Sequence, residues 1–147
     1  MPNGIIVFGA NGCGKTTLGF ELARTLNMKH LDVENYYFEE SEIPYSKPRS
    51  KDTVIERMLV DIKRCDSFVL SAVTGDYGDQ ISSMYKLGVF LSVPVHIRLE
   101  RVERRSLERY GERVLVGGDM YEKEQGFLEF VKTRDLSAID EWAKTLT

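Results

Sequence analysis

Long apolar runs, an excess of basic charge and a metal-like grouping of cysteines are all missing from this 147-residue chain, and each absence narrows what it does. No stretch is apolar enough to suggest a membrane span, and the first residues run straight into a strand pattern with no sign of a signal segment. The formal net charge of −3 argues against a broad nucleic-acid or membrane surface, which calls for a net basic face, so any anion site must be local. The two cysteines, Cys13 and Cys65, lack the spacing of metal ligands, and a reducing cytoplasm is the simplest compartment. Internal repeats and low-complexity tracts are absent too. The length fits one domain, with a two- or three-layer core and no accessory domain.

What the chain does have is a loop of high information content. Gly9, Ala10, Asn11, Gly12, Cys13, Gly14, Lys15 and Thr16 run glycine, four variable residues, glycine, lysine, threonine. Gly4 to Phe8 before the loop is a short apolar strand. Thr17 to Asn27 after it places Leu18, Leu22 and Leu26 on one helical face. Glycines let successive backbone amides turn inward around a phosphate, Lys15 sets a point charge near the outer phosphates, and the Thr16 hydroxyl can join a Mg2+ shell. The start of the helix contributes its positive end. Residues Asn11, Gly12, Cys13, Gly14, Lys15, Thr16 and Thr17 are therefore the expected nucleotide contacts. Cys13 reads as a small filler, without chemistry of its own.

Further along, Lys29 to Val33 reads as a second strand, Lys51 to Lys63 as an amphipathic helix through Val54, Met58, Leu59 and Ile62, Ser67 to Val73 as a buried strand, and Val89 to Val93 as a fourth. Between them, Asn35 to Ser50 holds the adjacent aromatics Tyr36, Tyr37 and Phe38, then Pro44 and Pro48, and reads as a substrate-facing connection. Strands separated by helical patterns imply an α/β fold with a parallel sheet between helices, and ligands at the carboxyl ends of the strands.

Those ends carry Asp32 and Glu34 after the second strand and Thr74, Gly75, Asp76, Tyr77, Gly78 and Asp79 after the third. Carboxylates there can hold Mg2+ through water or take a proton from an attacking hydroxyl. Asp32 capping a turn and Asp79 capping the next helix are the plainer alternatives. Arg101, Arg105, Arg109 and Arg113 recur at four-residue spacing, where like charges repel along a helix unless an anion or carboxylates compensate. The interleaved Glu100, Glu103, Glu108 and Glu112 allow a salt-bridged solvent face instead. Pro94 starts this helix directly after the fourth strand. Its far end, broken at Tyr110 and Gly111 and again at Gly117 and Gly118, forms a small lid over residues 106–118 that brings guanidinium groups to the phosphates and excludes water.

The phosphate loop, the Asp32, Val33, Glu34 segment, the glycine-bearing turn after the third strand and the RxxxR pattern of Arg101 and Arg105 together resemble the small P-loop kinases of the adenylate kinase and shikimate kinase type, over most of the chain. The resemblance implies a three-layer adenylate kinase-like fold and transfer of the terminal phosphoryl group of ATP, with Mg2+, to a small-molecule acceptor. It places Lys15 across the outer phosphates, Thr16 on Mg2+, Arg101 against the nucleotide and Arg105 against the transferred phosphoryl. Asp32 and Glu34, with Gly75 and Asp76, would then face the acceptor, with Arg49 neutralising an acceptor anion and Arg134, opening the last helical stretch, near acceptor or phosphates. Lys15, Arg105 and Asp32 form the expected catalytic set. The turn at Gly75 lacks the arginine of the nucleoside monophosphate kinases and the triple glycine of shikimate kinases, and the acidic, aromatic stretch from Tyr36 to Tyr45, with Glu39, Glu40 and Glu42, fits a neutral or nucleoside-like acceptor.

Two other classes stay open: an ATPase or nucleotide switch with water as acceptor, and a nucleotide-binding module without turnover. Ser71, at the end of an apolar run where an ATPase would place a water-positioning aspartate, speaks against the first. Finally, Leu136 to Leu146 reads as a helix with Ile139, Trp142, Ala143 and Leu146 on its apolar side, leaving no segment for the fifth strand usual in the resembled kinases. The expectation is a sheet in the order 2-3-1-4, an open adenine side, and either a truncated form or self-association through the exposed fourth strand.

Overall fold

The computed structural model describes residues 1–38 and 47–146. Strand β1 (Asn3–Gly9) is built from β-branched and aromatic residues and lies in the middle of the sheet, so Ile6, Val7 and Phe8 are fully covered on whichever face they point to. It pairs in parallel with β3 (Ser67–Ala72) on one side and β4 (Tyr85–Leu91) on the other, and β2 (Lys29–Asp32) pairs with β3. The strand order is β2-β3-β1-β4, all parallel, the expected topology.

Side chains alternate across the sheet and divide the core in two. On one face Ile6, Phe8, Phe68 and Leu70 pack against Val54, Met58 and Ile62 of α3 (Lys51–Ile62) and Ile139 and Trp142 of α7 (Ser137–Lys144). On the other, Ile5, Val7 and Val69 meet Leu18, Leu22 and Ala23 of α1 (Lys15–Leu26). Helix α1 stops where Asn27 takes a left-handed conformation at φ 55 and its N–H returns to the Ala23 carbonyl. Helix α3 starts where the Ser50 hydroxyl accepts the Thr53 N–H at 3.2 Å. Helix α5 (Val95–Tyr110), a 3-10 turn (Gly111–Val114) and α6 (Tyr121–Thr133) pack against one another. No helix among the described residues is long and apolar enough to cross a membrane.

Several boundaries differ from expectation. The fourth strand begins at Tyr85, four residues earlier than its apolar run and ends at Leu91, because pairing with β1 rather than apolar content defines it; an irregularity between Gly4 and Ile5 shifts the register there. The connection after β2 opens with a helical turn, α2 (Glu34–Tyr37), and Phe38 bridges to Pro48. Glu39, Glu40, Glu42, Pro44 and Tyr45 lie outside the described residues. Asp79 does not cap the short helix α4 (Asp79–Ser82): it is its first residue, Gly78 holds the cap position, and no side chain caps it. Arg134 does not open the last helix but closes α6, its N–H bonded to the Phe130 carbonyl at 2.8 Å.

The outer edge of β4 is bare among the described residues. Leu87 and Phe90 are 56% and 44% exposed, although Phe90 stacks on Phe8 at 4.9 Å and the Leu146 side chain lies over Gly88. The exposed apolar edge expected from the sequence is there.

Candidate active site

The loop between β1 and α1 turns on two glycines in the left-handed region, Gly12 at φ 83 and Gly14 at φ 95, conformations that a side chain disfavours. Gly14 occupies the cap position of α1 with no side-chain cap, so the first amides of a twelve-residue helix face outward with the positive end of its dipole behind them. Cys13 is buried, its sulfur against Gly9, which bears out a packing role. Lys15 folds back across the loop and donates to the Ala10 carbonyl at 3.2 Å. Burial lowers its pKa most, the charge of Arg105 lowers it further, and Cys13, Glu34 and Asp32 pull it back up. A desolvated ammonium inside a ring of amides is a strong attractor for an anion.

Next to it, the Thr16 hydroxyl donates to Asp32 Oδ2 at 2.8 Å while Asp32 Oδ1 accepts the Glu34 N–H at 3.1 Å. Asp32 thus does two things at once: it holds the turn after β2, the plainer reading of it, and it meets the phosphate-loop threonine. Among the described residues no three His, Cys, Asp or Glu side chains form a metal cage. Mg2+ keeps several waters and takes few protein oxygens. The Thr16 hydroxyl and Asp32 carboxylate are hard oxygen donors of the kind it accepts.

From the helical side, the exposed Arg101 reaches over the loop, its guanidinium 3.7 Å from where a methyl on Gly14 would lie, and the half-buried Arg105 is close enough for its charge to act on Lys15. Arg134 donates to Asn11 Oδ1 at 3.2 Å with its guanidinium 5.2 Å from the Phe130 ring centre. On the β2 side, Arg49 donates to the Tyr36 carbonyl at 3.2 Å, and its buried Nε has no partner among the described residues. It lines a cavity of about 470 Å³ together with Asp32. Thr17 is exposed, and so is Asp76, which pairs loosely with Lys51 at 3.9 Å. Gly75 is buried because Trp142 and Tyr85 close on it and its carbonyl accepts the Tyr85 hydroxyl at 3.0 Å. The segment 106–118 ends in a turn held by Arg113, whose Nε meets Asp119 at 2.9 Å.

Four residues outside the expected set shape the loop. The Ser71 hydroxyl donates to the Lys15 carbonyl at 2.9 Å and lies 2.9 Å from His30 Nε2, tying α1 to β3 and β2. Gly19 gives that pair its room: a methyl there would sit 2.1 Å from Ser71 Oγ. A glycine inside a helix is the sequence signal for such a close approach. The fourth, Arg98, is buried against the loop, and only the structure reveals it.

No family model matches the chain. A curated relative, the uncharacterized protein YqaC of Bacillus subtilis (strain 168), is 34% identical over 146 residues, spanning 99% of this chain and 80% of the relative. Among solved structures, a candidate kinase from Chloroflexus aurantiacus j-10-fl superposes with a TM-score of 0.55 at 15% identity over 98% of this chain and 97% of its own. A gluconokinase from Sinorhizobium meliloti 1021 gives 0.52 at 20% identity over 71% of this chain and 66% of its own. The chain belongs to the same family as YqaC, and its fold is that of the small P-loop kinases of the adenylate kinase and shikimate kinase type.

Proposed function

We propose that this protein is a phosphotransferase that binds ATP with Mg2+ at Asn11 to Thr17 and moves the terminal phosphoryl group to a small-molecule acceptor at the carboxyl ends of β2 and β3. The observation that carries this reading is the contact of Thr16 with Asp32 beside a desolvated Lys15, which joins a phosphate cradle to a carboxylate at the strand end where an acceptor hydroxyl would sit. An acceptor oxygen attacks the terminal phosphorus, the new O–P bond forms as the bond to the bridging oxygen breaks, ADP departs, and the hydroxyl proton passes to Asp32. Lys15 and Arg105 stabilise the charge that spreads over the migrating group, and Arg101 holds the nucleotide. Mg2+, when bound next to Thr16, neutralises phosphate charge.

The acceptor belongs in the cavity that reaches Asp32 and Arg49, where Arg49 Nε, with no partner among the described residues, is a donor for an acceptor oxygen; Glu34 follows in the same turn, while Gly75, Asp76 and Arg134 line no part of that cavity. Residues 106–118 act as the lid. A cytoplasmic setting suits the free cysteines Cys13 and Cys65, and the bare β4 edge suits self-association, read out as a concentration-dependent mass in solution. ADP release measured against nucleosides, nucleoside monophosphates and small hydroxy acids tests the reading. Stimulation by one acceptor class is expected; ATP turnover indifferent to every acceptor would make the protein an ATPase, and binding without turnover a nucleotide-binding module.

A further inference from the structure

Arg98 is 4% exposed, and among the described residues no carboxylate pairs with it. A buried guanidinium without a counter-ion is costly, so its partners show what it is for. Both are backbone carbonyls: Nε donates to Val93 at 2.9 Å and a terminal nitrogen donates to Asn11 at 3.3 Å. Val93 lies just before α5, and Asn11 lies inside the phosphate loop. The backbone of Arg98 touches the loop as well, since a methyl on Gly12 would stand 2.6 Å from the Arg98 carbonyl oxygen.

The consequence follows from the planarity of the peptide. The Asn11 carbonyl and the Gly12 N–H belong to one trans peptide, and the described chain has no cis bonds. They point in opposite directions, so a donor that fixes the carbonyl on one side fixes the amide on the other. We infer that Arg98 is a positioning residue for phosphate binding: from behind the loop it holds the Asn11 carbonyl, which aims the Gly12 amide into the phosphate cradle. Arg134 braces the side chain of the same Asn11 from the end of α6, so one loop residue is clamped from α5 and from α6. The charge of Arg98 also adds to the attraction of the loop for a polyphosphate. This inference rests on the proposed nucleotide site.

The test is equilibrium binding of MgATP to the full chain, with circular dichroism to verify folding, for wild type, Arg98→Met, Arg98→Lys and Arg134→Met. Losing a charge-assisted hydrogen bond that presets the cradle weakens binding by about ten- to a hundredfold in Arg98→Met. Arg98→Lys keeps the charge but cannot fork to both carbonyls, so it recovers part of that loss, and Arg134→Met loses less. At saturating MgATP, amide exchange at Gly12 is faster in Arg98→Met than in wild type, while exchange in β1 and β3 is not, a difference that general destabilisation would erase. Should Arg98→Met fail to fold, Arg98→Lys decides. A folded Arg98 variant with wild-type affinity and unchanged Gly12 exchange overturns the inference and leaves the nucleotide site standing; failure of the wild type itself to bind MgATP overturns the site.

Discussion

The phosphate loop and the segment 106–118 both set cations beside glycine turns, yet they are held in opposite ways. Around the loop three cations are fastened inward, Lys15 to Ala10, Arg98 to Asn11 and Val93, and Arg134 to Asn11, with Ser71 and His30 pinning the start of α1. In the other segment Arg113 is fastened outward to the exposed Asp119, and the tip of the turn carries Leu115 and Val116, 49% and 85% exposed. Val114 and Met120 are the buried side chains of that turn. The first region is preorganised, which is what binding a transition-state charge requires. The second has fewer buried side chains, which is what supports residues 106–118 as the proposed lid.

The largest expected effect breaks the preorganised side. Lys15→Ala should lower kcat by about two to three orders of magnitude, with the circular dichroism spectrum unchanged, because the proposed function gives this ammonium the stabilisation of phosphate charge rather than packing. Retention of wild-type turnover would remove the loop from the chemistry. Next in size, Gly19→Ala forces a methyl against Ser71 and His30 and should cost about 1–3 kcal/mol, read as a lower Tm and denaturation midpoint. The double variant Gly19→Ala, Ser71→Ala should recover part of that loss, since the pair shares one space; strict additivity would mean that the clash is relieved elsewhere.

Arg105→Ala should reduce kcat more than it raises KM for ATP, and Arg101→Ala the reverse, each by about tenfold; equal effects on both parameters in both variants would erase the distinction between them. A smaller effect comes from His30. Burial lowers its pKa below the usual 6.5, with the Asp32 charge opposing, so the unfolded chain binds the proton more readily than the folded one. Its contribution to stability is therefore present above pH 6.5 and is lost as pH falls from there through the folded pKa. Tm measured from pH 7.5 to 5 should drop less steeply in His30→Gln than in wild type, and parallel curves would refute this. Smallest of all is Arg113→Ala at the outward-facing turn, where solvent screens the pair with Asp119: Tm should stay put. A large loss of stability there would show that the turn is built as firmly as the loop.

Much of the fold was legible because its signals are local. The GxxxxGK pattern with its flanking strand and helix, the buried run of β3 and the 3.6-residue periodicity of α3 and α7 each lie within a dozen or so neighbouring residues. The early start of β4 was not legible, since an edge strand with one face lightly covered lacks the apolar density of a central one. Of the candidate site, Lys15, Thr16 and Asp32 do come together, and Arg101, Arg105 and Arg134 approach the loop. Asp76 instead lies exposed beside Lys51. Ser71 was noticed only as an aspartate that is not there; its use, holding the Lys15 carbonyl, depends on a residue 56 positions away.

By itself, then, the sequence determined the strand order, the phosphate loop and the positions of its glycines, because pattern, turn chemistry and right-handed crossover are properties of short segments and their succession. Only the tertiary structure decided which long-range partners fix the loop: that Arg98 rather than its neighbours in an arginine-rich helix is buried behind Asn11, that Arg134 reaches the same residue across 123 positions, and that Gly19 is there for Ser71 and His30. A run of similar residues on a helix carries no label for the one whose Cα–Cβ bond points at a carbonyl. Packing supplies that label, since the orientation of a helix against a sheet is settled by the whole of both surfaces.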